Sequence, residues 1–288
     1  MVLDFFRPLM HHGYFHYKTS IIVKPISLSH LITLIFCILF NLVASAADIE
    51  REKHLAEQIQ DSLIVGEIAN LQANGEEFIA LINNQEPAKP RGSIIILHGM
   101  SAHPNSPQII YPLRSQLASL GWVTAAIQLP VLAADATIDD YLKQIKPGAG
   151  RIQASLDYMR HQFKNRPCVL VAHSLGAIMA VNFMAQQQKL ACDALVLIGL
   201  PTIASELPEA QSLELLKKIS IPTLDIYGSQ DLNSVKEMAP TRQLTLLKGS
   251  PLNRQVEIAG ADHTFNGLND TLIRSVHSWL VHIFNPTQ

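Results

Sequence analysis

Charge is scarce in this 288-residue sequence: Asp, Glu, Lys and Arg make up 16% of it, and 22 basic against 24 acidic residues leave a net charge of −2. No long basic run is present, so the electrostatic footprint of nucleic-acid binding is missing. Aromatic residues amount to 6% and form no stacking platform. Three cysteines are too few for a scaffold held together by several disulfides. Neither an internal repeat nor a low-complexity block is visible. What is abundant is aliphatic side chain. With 48% of residues apolar, the chain has material for a substantial core and too little polarity for disorder. Length alone suggests about two domains, yet α/β chains of roughly 200–250 residues often form one.

The N-terminus reads as an address. Leu31 to Val43 (LITLIFCILFNLV) is an apolar run of 13 residues, followed by Ala44, Ser45 and Ala46 in a small-x-small pattern. Arg7, Lys18 and Lys24 outnumber Asp4 upstream. This is the layout of a signal peptide, with a cut expected between Ala46 and Ala47. A membrane span needs about 20 apolar residues, so an uncleaved anchor is the weaker alternative. Cys37 follows bulky Phe36, which argues against lipoprotein processing. The cluster His11, His12 and His16 falls in the removable leader and is not read as a metal site. Removing residues 1–46 takes away three basic residues and one acidic residue and leaves a net charge of −4. The expected product is an exported protein, periplasmic or secreted, with no membrane span of its own. Cys168 and Cys192 then remain; an oxidising compartment permits a bridge between them, but two buried free thiols are the favoured expectation.

Residues 47–288 are expected to form one domain, with an N-terminal helix and hairpin over 47–90 and a core over 91–288. Ile49, Leu55, Ile59 and Leu63 have helical spacing. Between Ile68 and Ile82, Asn74-Gly75 supplies the positive φ angles of a tight hairpin turn. From Ser93 onward, short apolar strands alternate with amphipathic helical patterns: strands at Ser93–Leu97, Trp122–Gln128, Val169–Ala172, Ala194–Ile198, Pro222–Tyr227 and Gln255–Ala259, and helices at Pro107–Leu120, Ala149–Phe163 and around Leu272–Ile283. Continuous apolar strands separated by such helices imply an α/β fold with a mostly parallel sheet covered on both faces. The hairpin adds an antiparallel edge.

Chemistry concentrates in three loops. The strand ending at Ala172 runs into His173-Ser174-Leu175-Gly176 and then a helical pattern. A strand-to-helix turn this tight requires small residues two positions either side of the serine, and leaves Ser174 exposed at the helix N-terminus. A serine capping the helix is the competing reading. A serine nucleophile needs a base, and the base needs an orienting carboxylate. Asp231 and His263 each follow a strand, in the chain order Ser, acid, His that the turn motif predicts. Asp262 and Asp225 are rival acids, and His98, His103 and His173 rival bases. The turn is expected to direct His173 away, and the His98 ring to brace its own loop. An oxyanion hole needs two N–H donors; Leu175 supplies one and Met100, in His98-Gly99-Met100, the other. His103 and Asn105 are candidates for the site entrance.

In combination, the His98-Gly99 loop, the Ser174 turn with Gly176, Asp231 and His263 resemble the alpha/beta-hydrolase superfamily over about residues 90–285. The stretch Ile96 to Pro130, with Gln128-Leu129-Pro130 after its second strand, is similar to a group of exported bacterial proteins of unknown function. Ala172 stands where the superfamily most often has Gly, a position that needs only a small residue. The resemblance implies hydrolysis of an ester, thioester, lactone or amide without cofactor or metal, and a small-molecule acyl substrate. It names no substrate, because one fold hosts many functions. An acyltransferase with the same three residues and a binding protein that lost the chemistry are the alternatives. The short segments 131–148, with Tyr141 and Ile145, and 199–221, with Leu213, Leu215 and Leu216, leave room only for a small cap and could wall the site.

Overall fold

The protein is described by a computed structural model over residues 48–84, 90–163, 167–187 and 191–284. The leader with its charged flank, its histidine cluster and Cys37 lie outside the described residues.

Helix α1 (Ile49–Ser62) starts where Asp48 accepts a hydrogen bond from the Arg51 amide at 3.0 Å, a side-chain N-cap. The expected apolar face is only partly used: Ile59 is buried, while Ile49 is exposed. The anchor is instead a charge. Glu52 is buried, accepts from the Val131 amide at 2.8 Å and pairs with Arg151 at 2.9 Å. Strands β1 (Glu67–Ala73) and β2 (Glu76–Asn83) form the expected hairpin, with Asn74 at φ 54° and Gly75 at φ 82°.

The remaining strands are β3 (Ser93–Leu97), β4 (Val123–Ile127), β5 (Cys168–His173), β6 (Ala194–Ile198), β7 (Thr223–Gly228) and β8 (Arg254–Ile258). The sheet order is β1-β2-β4-β3-β5-β6-β7-β8. Only β2 runs against its neighbours; β3 to β8 are parallel. From β3 to β7 every residue is buried. Alternate side chains serve opposite faces, as the pleat requires. Ile95, Leu97, Leu170 and Ala172 pack with helices α4 (Ile145–Gln162) and α5 (Leu175–Ala185). Ile94, Ile96, Val169 and Val171 pack with α2 (Ile110–Ser119) and the last described helix (Asn269–Phe284).

Helix α4 begins at Ile145, four residues earlier than the pattern predicts. Pro147 falls in its first turn, where a missing N–H costs nothing. Gly148 lies against Met179, where an added Cβ would sit 3.0 Å from the sulfur. Helix α5 is apolar on all sides and buried from Leu175 to Met184, as a helix enclosed by neighbours must be. It is therefore a rigid base for the turn that precedes it.

Segment 199–221 holds a 3₁₀ turn (Pro208–Ala210) and one short helix, α6 (Ser212–Leu216). Segment 131–148 holds α3 (Ile138–Leu142). Cys168 and Cys192 are buried free thiols. A hydrogen bond with Cys168, reinforced by burial, pushes the Cys192 thiol well above its ordinary value, so it is unsuited to act as a nucleophile. Asp225, one of the rival acids, is fully buried in an ion pair with Arg242 at 2.8 Å.

Candidate active site

The sheet order reverses at β3, so the loops leaving β3 and β5 diverge at the carboxyl edge. Open α/β sheets bind ligands at such a point. Ser174 sits there between β5 and α5, at φ 55° and ψ −120°. A non-glycine residue in this region costs on the order of 1–3 kcal/mol and persists only where its surroundings enforce it. The enforcement is visible. The Ser174 amide donates to the Ile198 carbonyl at 2.9 Å. Gly176 lies so close to β3 that a Cβ there would be 2.4 Å from the His98 carbonyl oxygen. The Ser174 hydroxyl makes no capping hydrogen bond with α5. It lies 2.9 Å from His263 Nε2.

The loops after β7 and β8 converge on that serine. Asp231 is buried. Its Oδ1 accepts from His263 Nδ1 at 2.6 Å and from the Leu232 amide at 2.7 Å, and its Oδ2 accepts from the Gly228 amide at 3.3 Å. Burial alone would raise its pKa; the hydrogen bond and charge of His263 and the two amides outweigh that and hold the carboxyl below its ordinary value. Asp231 is thus a carboxylate at neutral pH. Donation from Nδ1 leaves Nε2 of a neutral His263 free to accept the Ser174 proton. The Gln230 amide bonds the Ala261 carbonyl at 2.9 Å and ties the two loops together. The rival Asp262 turns back on its own loop, accepting from Thr264 and Asn266.

On the other side of Ser174 lies the loop after β3. Leu175 is the first residue of α5, so its N–H has no acceptor within the helix. Gly99 packs closely on the serine, where a Cβ would lie 3.1 Å from Ser174 Cβ, and Met100 after it lines the cleft. The Ala102 amide closes the turn onto the Gly99 carbonyl at 3.3 Å, with Ser101 at φ 57°. The His98 ring braces this loop as expected. Its Nδ1 lies 2.8 Å from the Gly99 carbonyl, and its Nε2 accepts the Leu129 amide at 3.0 Å.

A cleft of about 490 Å³ opens over Ser174. Its lining comes from the loops after β3, β5, β7 and β8 and the start of α2, and contains no Asp, Glu, Lys or Arg. Segments 131–148 and 199–221 do not line it. Tyr141 is buried, with its hydroxyl 3.4 Å from Ser101 Oγ, so it props the loop from below and does not wall the site. His103 does line the cleft, with Nδ1 accepting from the Asn105 amide at 3.2 Å. Asn105 does not. Its side-chain oxygen is turned inward to buried Arg114 at 2.9 Å, because a buried guanidinium, which also donates to the Val65 carbonyl at 2.7 Å, needs that oxygen in place of solvent. Among the described residues no group of three His, Cys, Asp or Glu side chains could hold a metal ion.

Two neighbours of the site had no clear signal in the sequence. Gly199, just after β6, is at φ 55°, and a Cβ there would lie 3.1 Å from the His263 ring and 3.2 Å from Asp231 Oδ2. His173 leaves Ser174 as expected, yet it does not leave the site: its ring is 4.8 Å from the ring of His263. Burial pushes His98 down to about 3 and His173 down to about 4 from an ordinary 6.5. Both stay neutral in the folded protein, whereas an unfolded chain protonates them near pH 6.5. The unfolded state therefore binds more protons below that pH, and stability falls as pH drops toward the folded values. At pH 5 each histidine should subtract about 2 kcal/mol. Thermal melts should show a lower Tm at pH 5 than at pH 7, and His173→Phe should show a shallower decline; equal slopes would refute the assignment.

The sequence matches the profile of a family described as "Protein of unknown function (DUF3530)" over residues 41–143 and 140–282. No curated protein matches significantly. Solved structures are similar in fold. An alpha-beta serine hydrolase homologue from Coxiella burnetii is 17% identical, with 74% of this chain and 99% of that chain covered and a TM-score of 0.58. A serine hydrolase without a lid from Xanthomonas campestris is 16% identical, with 78% and 97% covered and a TM-score of 0.60. A dienelactone hydrolase from Anabaena variabilis is 18% identical, with 75% and 96% covered and a TM-score of 0.59. The sheet order and these likenesses give the alpha/beta-hydrolase fold, and the profile match, which spans most of the sequence, makes the chain a member of the DUF3530 family of proteins of unknown function.

Proposed function

We propose that the protein is an exported serine hydrolase that cleaves an ester or related acyl substrate through an acyl-enzyme. The observation that carries this reading is the unbroken chain from Ser174 Oγ through His263 to Asp231, at 2.9 and 2.6 Å. Ser174 Oγ attacks the carbonyl carbon as His263 Nε2 takes its proton. Asp231 holds the imidazole in the required tautomer and balances its charge. The Met100 and Leu175 N–H groups hold the oxyanion, a contribution on the order of 10²–10³ in rate per donor. The carbon–oxygen bond to the leaving group then breaks, and His263 returns the proton to the departing alcohol. Water repeats the sequence on the acyl-enzyme, releasing the acid and restoring Ser174. No step uses a cofactor.

The uncharged lining favours a neutral substrate, since an unpaired charge in the cleft would lose solvation without compensation. With Nδ1 accepting a backbone N–H, neutral His103 carries its proton on Nε2 and offers a donor to substrate. The absence of a covering segment from the lining suits modest esters that enter directly. Export rests on the leader at residues 1–46. N-terminal sequencing of protein recovered outside the cytoplasm should begin at Ala47.

The decisive experiment is labelling of the purified protein with a fluorophosphonate probe, beside His263→Ala. Wild type should label and the variant should not. A folded wild type that resists both large and small phosphonates would overturn the reading.

A further inference from the structure

We infer that His173 is a positioning residue that fixes His263 between Ser174 and the oxyanion loop; this rests on the hydrolase reading above. His173 Nε2 lies 3.0 Å from the main-chain carbonyl oxygen of His263. A carbonyl only accepts, so His173 is the donor and its proton sits on Nε2. Among the described residues, no backbone amide donates to that carbonyl. The turn before His263 closes from Ala261 onto Ile258, and the turn that contains His263 closes from Phe265 onto Asp262, neither using the His263 carbonyl. The peptide after His263 thus has its N–H on Asp262 Oδ1 at 2.8 Å, within the turn, and its carbonyl held by the side chain of His173.

The same ring makes two further contacts. Its face lies against the His263 ring, centroids 4.8 Å apart and planes tilted by 41°. Gly99 is also close to it: a Cβ on that glycine would lie 3.2 Å from His173 Nδ1. One buried imidazole thus fills the space between the loop that carries the base and the loop that carries the oxyanion donor. It is the last residue of β5, so its backbone is as fixed as the strand itself. The residue adjacent to the nucleophile in sequence sets the backbone of the base, 90 positions later. Its neutrality matters as well, because His263 becomes a cation during turnover, and a second cation beside it would oppose that step.

Removing the donor should leave substrate binding intact and let the His263 main chain drift. Misplacement of a catalytic group by about 1 Å can cost on the order of 10²-fold in rate. His173→Phe keeps a ring of similar size without the donor. Its kcat on a short-chain nitrophenyl ester should fall about 10–100-fold, with KM within about threefold of wild type. His173→Gln restores an N–H at similar reach and should recover most of the loss. Histidine-labelled NMR gives a readout that does not depend on turnover: the proton shared by His263 and Asp231 should shift in His173→Phe and stay near its wild-type position in His173→Gln. An unchanged kcat and resonance in folded His173→Phe would overturn the proposal, as would equal losses in the two variants or a loss carried by KM. Failure of the hydrolase reading looks different, since wild type itself would then be inert to ester and phosphonate while the resonance still reports on His173.

Discussion

Ser174→Ala should lower kcat by about 10⁵–10⁶ and abolish phosphonate labelling. Adding His263→Ala should cost little more, because the two side chains act as one unit and their losses do not add. Single-turnover rates of the two single variants and the double variant decide this; a double variant that loses the product of the single effects would refute a shared role. Stability offers an independent check. At φ 55° the Ser174 backbone is strained whether the side chain is Ser or Ala. Ser174→Ala should therefore melt near wild type. Ser174→Gly relieves the strain against a smaller entropic cost of glycine, for a net gain of about 1 kcal/mol. That gain should raise Tm by roughly 2–4 °C for a domain of this size. A protein destabilised by the glycine would show that the turn is not strained.

Gly199→Val should be the most damaging change among residues that do not themselves react. A Cβ at this position would lie 3.1 Å from His263 Cε1 and Nδ1 and 3.2 Å from Asp231 Oδ2, on a backbone at φ 55°. A branched side chain cannot adopt that φ without strain, and its methyls would enter the space of the His263–Asp231 pair. The expected result is a loss of about 10²–10³ in kcat with a destabilisation of about 1–3 kcal/mol. Gly199→Ala should move both quantities in the same direction by less. Kinetics with a parallel thermal melt separate the two effects. A folded Gly199→Val with normal kcat would show that the glycine serves the turn alone.

The features readable in the sequence were those governed by local rules. Strand positions followed from apolar runs, the hairpin from Asn74-Gly75, and the Ser174 turn from its small flanking residues. The order of Ser174, Asp231 and His263 followed because each comes directly after a strand, and parallel strands place such residues at one edge. What could not be read depends on partners far away in the chain. Asn105 looked like an entrance residue because nothing local shows that Arg114 lies buried beneath it. His173 looked disengaged because the turn does point it away from Ser174; only the fold brings the His263 carbonyl to meet it. Glu52 broke the apolar pattern of α1, and its partner Arg151 lies 99 residues later. Gly199 resembled any glycine after a strand until the base and its acid were seen packed against it.

The pair formed by Glu52 and Arg151 also bears on how the chain matures. Helix α1 is the first described element, and its buried anchor is made only once Arg151, 99 residues after Glu52, has followed it. A chain that emerges N-terminus first carries α1 with its acidic latch unmatched, and Val131, the other partner of Glu52, arrives nearly as late. An isolated helix of 14 residues is marginal in water, so α1 has little to hold it until α4 appears. The early segment stays slack until α4 has been delivered, and the latch can close only then, before or while the strands after α4 join the sheet.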